Sequence, residues 1–253
     1  MSTNKYCLVI PHFNHAANLA AFLPQILSAG LPCLIVDDGS TKNAKQDLRQ
    51  LLSNIDQCQL TEHQENLGKG AAMMTGAKFA RSLGYTHILQ IDADGQHDVS
   101  DIPAFIEYSK TFPEQIISGA PYFEESAPKA RVYGRKVTTF WVALETLSFG
   151  LKDCLCGFRV YPLNQFEAVV NHYSIGTRMD FDTEILVKSV WAGIKLHFIK
   201  TKVIYPENSV SHFRYLHDNV GLIWLHIRLM LGMLVRLPKL LLWRLTGRSA
   251  STS

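Results

Sequence analysis

The chain has 253 residues, 47% of them hydrophobic and 19% charged, and 25 Lys+Arg against 22 Asp+Glu leave a formal net charge of +3. That length buries a full core as one large domain or one domain with an appendage, and so small a net charge argues against nucleic acid as a partner. The five cysteines, Cys7, Cys33, Cys58, Cys154 and Cys156, are odd in number and mostly set in apolar runs, so they read as reduced thiols rather than a disulfide framework, and Cys154-Leu155-Cys156 lacks the second pair of a zinc site.

Tyr6 to Pro11 reads as a buried strand, its apolar run too short for the core of a signal peptide. Ala16 to Ala29 reads as a helix, with Leu19, Phe22, Leu23, Ile26 and Leu27 at helical spacing and Gly30 ending it. Cys33–Val36 is a second strand, Asn43–Leu52 a second helix and Cys58–Thr61 a third strand. Lys69–Leu83 is a third helix, closed by Gly84, and His87–Ile91 a fourth strand. Strands alternating with helices predict an α/β fold with a mostly parallel sheet and helices on both faces, which collects ligands at the carboxyl ends of its strands.

Beyond that half, Tyr122–Lys129 reads as a loop, Arg131–Phe149 has helical spacing, and Asp153–Tyr161 reads as a turn into a strand. Asp182–Ala192 is a helix and His197–Tyr205 a strand. A polar loop, Glu207–Asp218, precedes an apolar tail, Val220–Leu245, that Pro238 breaks or kinks into two pieces. From Arg228 to Arg248 the tail carries Arg228, Arg236, Lys239, Arg244 and Arg248 and no acid. No stretch of about 18 uncharged apolar residues occurs, so no spanning helix is predicted.

The polar clusters fall at expected strand ends. Asp92-Ala93-Asp94 follows the fourth strand. Two carboxylates one residue apart can face one ion, and oxygen ligands suit Mg²⁺ or Mn²⁺ bridging a diphosphate; an acidic turn is the plainer alternative. Gln96 and His97 stand ready as a further ligand or support. Asp38, at the end of the second strand, can accept a hydrogen bond from a base or ribose, or simply close an Asx turn with Gly39 and Ser40. Asn66-Leu67-Gly68-Lys69-Gly70 opens a helix, where Lys69 can meet a phosphate or sugar, or merely start the helix; it is not a Walker loop.

Together, and in this order, the clusters resemble family 2 glycosyltransferases of the GT-A (Rossmann-like) fold. Val9-Ile10-Pro11-His12-Phe13-Asn14 is similar to that family's first-strand signature. The closer resemblance is to polyprenyl-phosphate glycosyltransferases of the dolichol-phosphate mannose synthase kind, on Asp92-Ala93-Asp94-Gly95-Gln96-His97 and on Asp153 with Cys156-Gly157-Phe158-Arg159, where Cys156 replaces the usual Ser. The resemblance implies that Pro11, Phe13, Asn14 and Asp38 hold the nucleoside of a UDP- or GDP-sugar. It also implies that Asp92, Asp94 and Gln96 hold the metal, and that transfer inverts the anomeric carbon. Arg131, Arg135 and Thr139 lie on one helical face, and the resemblance gives Arg135 and Arg131 a lipid phosphate to hold; a solvated basic face is the alternative. In the loop Ser211-His212-Phe213-Arg214, a departure from the family's Ser-Lys pair, His212 would ligate metal or phosphate and Arg214 neutralise the leaving group. Asp182, and Glu184 by resemblance, are the candidates for a base, or are first-turn acids favoured by the helix dipole.

The expected organisation is a GT-A domain over residues 1–215 and a basic amphipathic tail over 216–253. Apolar residues with Trp and cations make that tail a membrane-associating interfacial element, against the alternative of core-packing helices. The expected protein is a glycosyltransferase peripheral on the cytoplasmic face of the inner membrane, with a lipid-linked acceptor, a polyprenyl phosphate or a lipid hydroxyl, approaching from the Arg131 and Arg159 side. A non-catalytic nucleotide-sugar-binding scaffold and a sugar nucleotidyltransferase are the rival readings.

Overall fold

The computed structural model describes residues 4–123, 129–204 and 215–246. Seven strands, β1 (Tyr6–His12), β2 (Cys33–Asp37), β3 (Cys58–Glu62), β4 (His87–Gln90), β5 (Ile116–Tyr122), β6 (Arg159–Pro162) and β7 (Leu196–Lys202), form one sheet in the order β3-β2-β1-β4-β6-β5-β7. β1 pairs in parallel with β2 and β4, β2 with β3, and β5 with β7, while β6 runs antiparallel between β4 and β5. Helices α1 (Ala16–Ser28), α2 (Lys42–Leu52), α3 (Lys69–Ser82), α4 (Ile102–Thr111), α5 (Lys129–Thr146), α6 (Leu163–His172), α7 (Phe181–Ala192) and α8 (Tyr215–Leu245) complete the fold. The mostly parallel sheet flanked by helices that the sequence predicts is the one observed.

Alternation along β1 divides the core. Tyr6, Leu8 and Ile10 face α1, α2 and α4, through Leu19, Leu23, Ile26, Leu48, Ile102 and Phe105. Cys7 and Val9 face the layer of α3, α5, α6, α7 and α8, which contributes Met73, Val142, Phe166, Ile185 and Leu229 among others. The chain leaves β1 toward β2 on one side and returns to β4 on the other. The crevice at the carboxyl ends of β1, β2 and β4 therefore lies at a topological switch point.

Three elements carry no clear sequence signal: α4, β5 and α6. The expected strand from His197 to Tyr205 is shorter, β7 ending at Lys202, with a single bridge between His97 and Val203 beyond it; Tyr205 lies outside the described residues. The tail is corrected in two respects. Helix α8 starts at Tyr215, inside the expected loop, and it runs through Pro238 as one helix of 31 residues. A proline removes one backbone hydrogen bond, but Met233 before it and Leu240 after it are both buried in the core, so packing on both sides keeps the helix whole. No helix among the described residues is long and apolar enough to cross a membrane.

Candidate active site

The ends of β1 and β2 are stitched together by polar groups. His12 and Asp37 are buried, with His12 Nδ1 2.8 Å from Asp37 Oδ1. Asp37 also accepts from the Ser40 amide at 3.1 Å and the Ser40 hydroxyl at 2.5 Å. Burial works against the Asp37 charge, but the hydrogen bonds from His12 and Ser40 outweigh it and hold the carboxyl below its usual range. Asn14 sits at φ 57°, its amide donating to Ser40 Oγ at 2.8 Å and its Oδ1 accepting from the Thr41 amide at 2.9 Å. Asn14 thus fixes the turn after β1, beside a half-buried Pro11 and a Phe13 that is 37% exposed.

Asp38 faces away from this cluster. Its Oδ1 accepts from the Leu67 amide at 3.0 Å and lies 2.8 Å from His63 Nδ1, and its Oδ2 accepts from the Gly68 amide at 2.7 Å. His63 Nε2 lies in turn 2.9 Å from Thr75 Oγ1 on α3. The carboxylate expected to meet a nucleoside is therefore also the anchor of the loop that opens α3. Gly39, at φ 70°, lies so close to the Glu65–Asn66 backbone that no side chain fits.

A second network lies under Asp92. The register of the antiparallel strands places Gln90 of β4 opposite Arg159 of β6, and Arg159 opposite Ser118 of β5. Arg159 is wholly buried. Its Nη1 donates to the Asp182 carbonyl at 2.7 Å and to Tyr161 Oη at 3.2 Å, and its Nη2 to the Cys154 carbonyl at 2.8 Å. Gln90 Nε2 donates to Asp182 Oδ1 at 3.1 Å and reaches Asp92 Oδ1 at 3.4 Å. Lys69 Nζ joins the two acids, 2.8 Å from Asp92 Oδ2 and 2.6 Å from Asp182 Oδ2. Burial opposes charge on both Asp92 and Lys69, yet Asp182 and then Asp92 hold the ammonium above its usual range, and Lys69 and His97 hold the Asp92 carboxyl far below its own. His97 stacks on Phe158 at 5.2 Å between ring centroids and puts Nε2 3.5 Å from Asp92 Oδ2. Gly157 lies against Asp92, where an added Cβ would stand 2.8 Å from Asp92 Cγ.

The remaining expected residues spread around this centre. Asp94 Oδ1 accepts from the Gln96 amide at 3.0 Å, and Ala93 between the acids is buried. Arg135 Nη1 donates to both carboxylate oxygens of Asp153 at 2.9 Å and its guanidinium lies 5.5 Å from the Phe123 ring centroid. Glu184 accepts from the Gly176 amide at 2.6 Å, from Lys188 at 3.0 Å and from Arg228 at 3.1 Å, which makes it a clamp joining α7, the loop before it and α8. Arg131 belongs to α5, but its side chain, like all of Ser211, His212 and Arg214, lies outside the described residues. Sequence reasoning did not find Gln90 and His63 as parts of the site, and Arg159, expected on the acceptor side, is instead wholly buried as a support beneath Asp182. Gln90 had one usable signal, an amide in an otherwise apolar strand directly before the acidic motif.

For a divalent metal the donor set fits in kind. Among the described residues no three His, Cys, Asp or Glu side chains converge as a preformed cage. Asp92 and Asp94 offer carboxylate oxygens, and Mg²⁺ in particular is commonly held by one or two carboxylates with substrate phosphates completing the shell.

The family model described as "Glycosyl transferase family 2" matches residues 7–167. The UDP-N-acetylglucosamine–dolichyl-phosphate N-acetylglucosaminyltransferase of Methanococcus voltae is 23% identical over 220 residues, 81% of this chain and 87% of that one. The polyprenol monophosphomannose synthase of Mycolicibacterium smegmatis is 24% identical over 173 residues, 66% of this chain and 65% of that one. Among solved structures, glucosyl-3-phosphoglycerate synthase from Mycobacterium tuberculosis, in complex with Mn²⁺, uridine diphosphate and phosphoglyceric acid, superposes with a TM-score of 0.66 at 12% identity, covering 91% of this chain and 78% of that one. The fold is accordingly that of the GT-A enzymes.

Proposed function

This chain belongs to glycosyl transferase family 2, and from that premise we propose that it is a metal-dependent, inverting enzyme that moves a sugar from a nucleotide-sugar donor to a lipid-linked acceptor. The observation that carries the reading is the Asp92 centre at the end of β4, beside the switch-point crevice and adjoining the Asp38-anchored loop. A relative named for transfer to dolichyl phosphate and another named a polyprenol monophosphomannose synthase support the acceptor class, and a solved neighbour that holds Mn²⁺ and uridine diphosphate supports the donor class.

In this reading Pro11, Phe13 and Asp38 border the nucleoside, and Asp92, Asp94 and Gln96 hold Mg²⁺ or Mn²⁺. Bound there, the metal would act as a Lewis acid toward the leaving diphosphate. The acceptor oxygen attacks the anomeric carbon as the bond to the diphosphate breaks on the opposite face. A lipid phosphate arrives already ionised and needs no base. Asp182, tied to Lys69 and Gln90, is then a positioning acid; a hydroxyl acceptor would require it to take a proton. Arg135 beside Asp153 is the candidate for the acceptor phosphate, with His212 and Arg214 for the donor phosphates.

Helix α8 supports a membrane surface as the place of work. It buries Leu225, Leu229, Met233 and Leu240 and exposes Ile223, Trp224, Leu231, Leu234, Val235 and Leu242, with cations near its end and α5 adding exposed Tyr133 and Phe140. Such a face suits an anionic bilayer, here the cytoplasmic side of the inner membrane. Thermal-shift screening of UDP- and GDP-sugars with and without Mn²⁺ tests the donor reading. A matching donor raises the melting temperature only with metal, since ligands that bind the folded state stabilise it by mass action. No shift with any nucleotide sugar would refute it.

A further inference from the structure

Lys69 is placed by backbone, not by chance of a long side chain. Gly68 before it has φ 101° and lies against the Thr177 carbonyl, where no Cβ fits. The Gly70 and Ala71 amides after it both donate to that same carbonyl, at 2.8 and 3.3 Å. Gly70 itself is closed in by the Gly176 carbonyl at 2.7 Å from a built Cβ. The first turn of α3 is thus locked onto the loop that leads into α7, and from that fixed root the Lys69 ammonium spans Asp92 and Asp182 at 2.8 and 2.6 Å. Its side chain is 20% exposed, those of Asp92 and Asp182 22% and 11%, so water screens the trio poorly.

The local charge gives this geometry a consequence. Asp92 and Asp182 face the cations Lys69 and Arg159, two negative charges against two positive. A bare divalent ion at Asp92 would overshoot to net positive with an ammonium already on the same carboxylate. The same ion arriving with a nucleoside diphosphate brings its own compensating charge, and the ammonium gains phosphate oxygens to bond. We propose that Lys69 is a resident counter-cation that makes metal binding at Asp92 conditional on the diphosphate: it holds Asp92 and Asp182 together before the donor arrives and turns to the diphosphate when metal and donor enter. The role is that of a positioning residue, and it rests on the metal reading of the Asp92 centre.

The test measures Mn²⁺ binding directly, by the electron paramagnetic resonance signal of free Mn²⁺, with and without UDP and in parallel GDP. Wild-type protein should bind Mn²⁺ weakly alone and at least about tenfold tighter with the matching nucleotide, a coupling of ordinary size. Lys69→Met should bind Mn²⁺ alone about tenfold tighter than wild type, the scale of one opposing charge removed from a half-shielded site, and should lose most of the coupling. Lys69→Arg, which keeps the charge, should retain the coupling. If Lys69→Met fails to show a cooperative thermal transition, Lys69→Gln, which keeps a donor for Asp182, makes the same comparison. Unchanged or weaker Mn²⁺ binding by the neutral variants overturns the role of Lys69 alone. No Mn²⁺ binding by wild type with either nucleotide overturns the metal reading and this inference together.

Discussion

Asp37 and Asp38 are neighbours in sequence whose carboxylates serve different partners. Asp37 is spent on His12 and Ser40, and Asp38 on His63 and the amides of Leu67 and Gly68. The pair was readable as a strand-end acidic turn. Which acid faces which loop was not, because the answer depends on groups 25 and 30 residues away. His87, on the far end of the sheet, illustrates a titrating residue with no part in the site. It is buried, stacks on Tyr6 at 4.7 Å and has Nε2 2.9 Å from the Pro113 carbonyl. Burial lowers its pKa from the ordinary 6.5, more than the Pro113 bond and Glu114 raise it. The folded protein therefore holds fewer protons at this site than the unfolded chain does, so the stability it lends is present above pH 6.5 and is lost as the pH falls below that value. Urea unfolding at pH 7.5 and 5.5 should show wild type losing more stability than His87→Gln; equal losses would remove His87 from the acid sensitivity.

Elements differ in how far their own sequence specifies them. Helix α1 and strands β1 and β2 carry full apolar patterns because both faces of the central sheet are covered. β5 reads Ile116-Ile117-Ser118-Gly119-Ala120-Pro121-Tyr122, and its buried Ser118 and Gly119 blur any strand signal; pairing with β6 and β7 makes it a strand. Pro238 misled in the other direction, since tertiary packing overrides it. Two glycines of α8 separate packing from propensity. An added Cβ on Gly232 would stand 2.6 Å from Trp191 Cη2, and that ring is buried with Nε1 bonded to the Glu145 carbonyl at 2.9 Å, whereas one on Gly221 would meet nothing within 4 Å. Gly232→Val should cost about 1–3 kcal/mol, and Gly221→Ala should gain about 0.5–1 kcal/mol, both read by denaturant unfolding. A neutral Gly232→Val would mean that α8 does not dock on α7 as described.

Across the whole molecule, contacts distant in sequence converge on one crevice. Lys69 and Asp182 are 113 residues apart, and Glu184 ties the loop beside Lys69 to Arg228 on α8. The acidic motif and its strand were legible locally, and the layered fold followed from alternation. The polar floor of Gln90 and Arg159 was not legible, because only the antiparallel insertion of β6 brings it beneath Asp92. The same layering leaves the outer side of α8 apolar, next to α5, on the layer of the molecule that also contains α3 and α7. In the proposed function the crevice would take the donor and the apolar outer side of α8 would face the lipid acceptor's bilayer. The most direct measurement is transfer of radiolabelled sugar from UDP- and GDP-sugars into the lipid phase of anionic vesicles containing polyprenyl phosphate, with Mn²⁺ or with chelator, for wild type and Asp92→Asn. The account predicts metal-dependent label in the lipid with wild type and a loss of at least about a hundredfold with Asp92→Asn, the scale for removing a group that stabilises the leaving charge. Equal transfer by the two proteins, or by wild type under chelator, would contradict it.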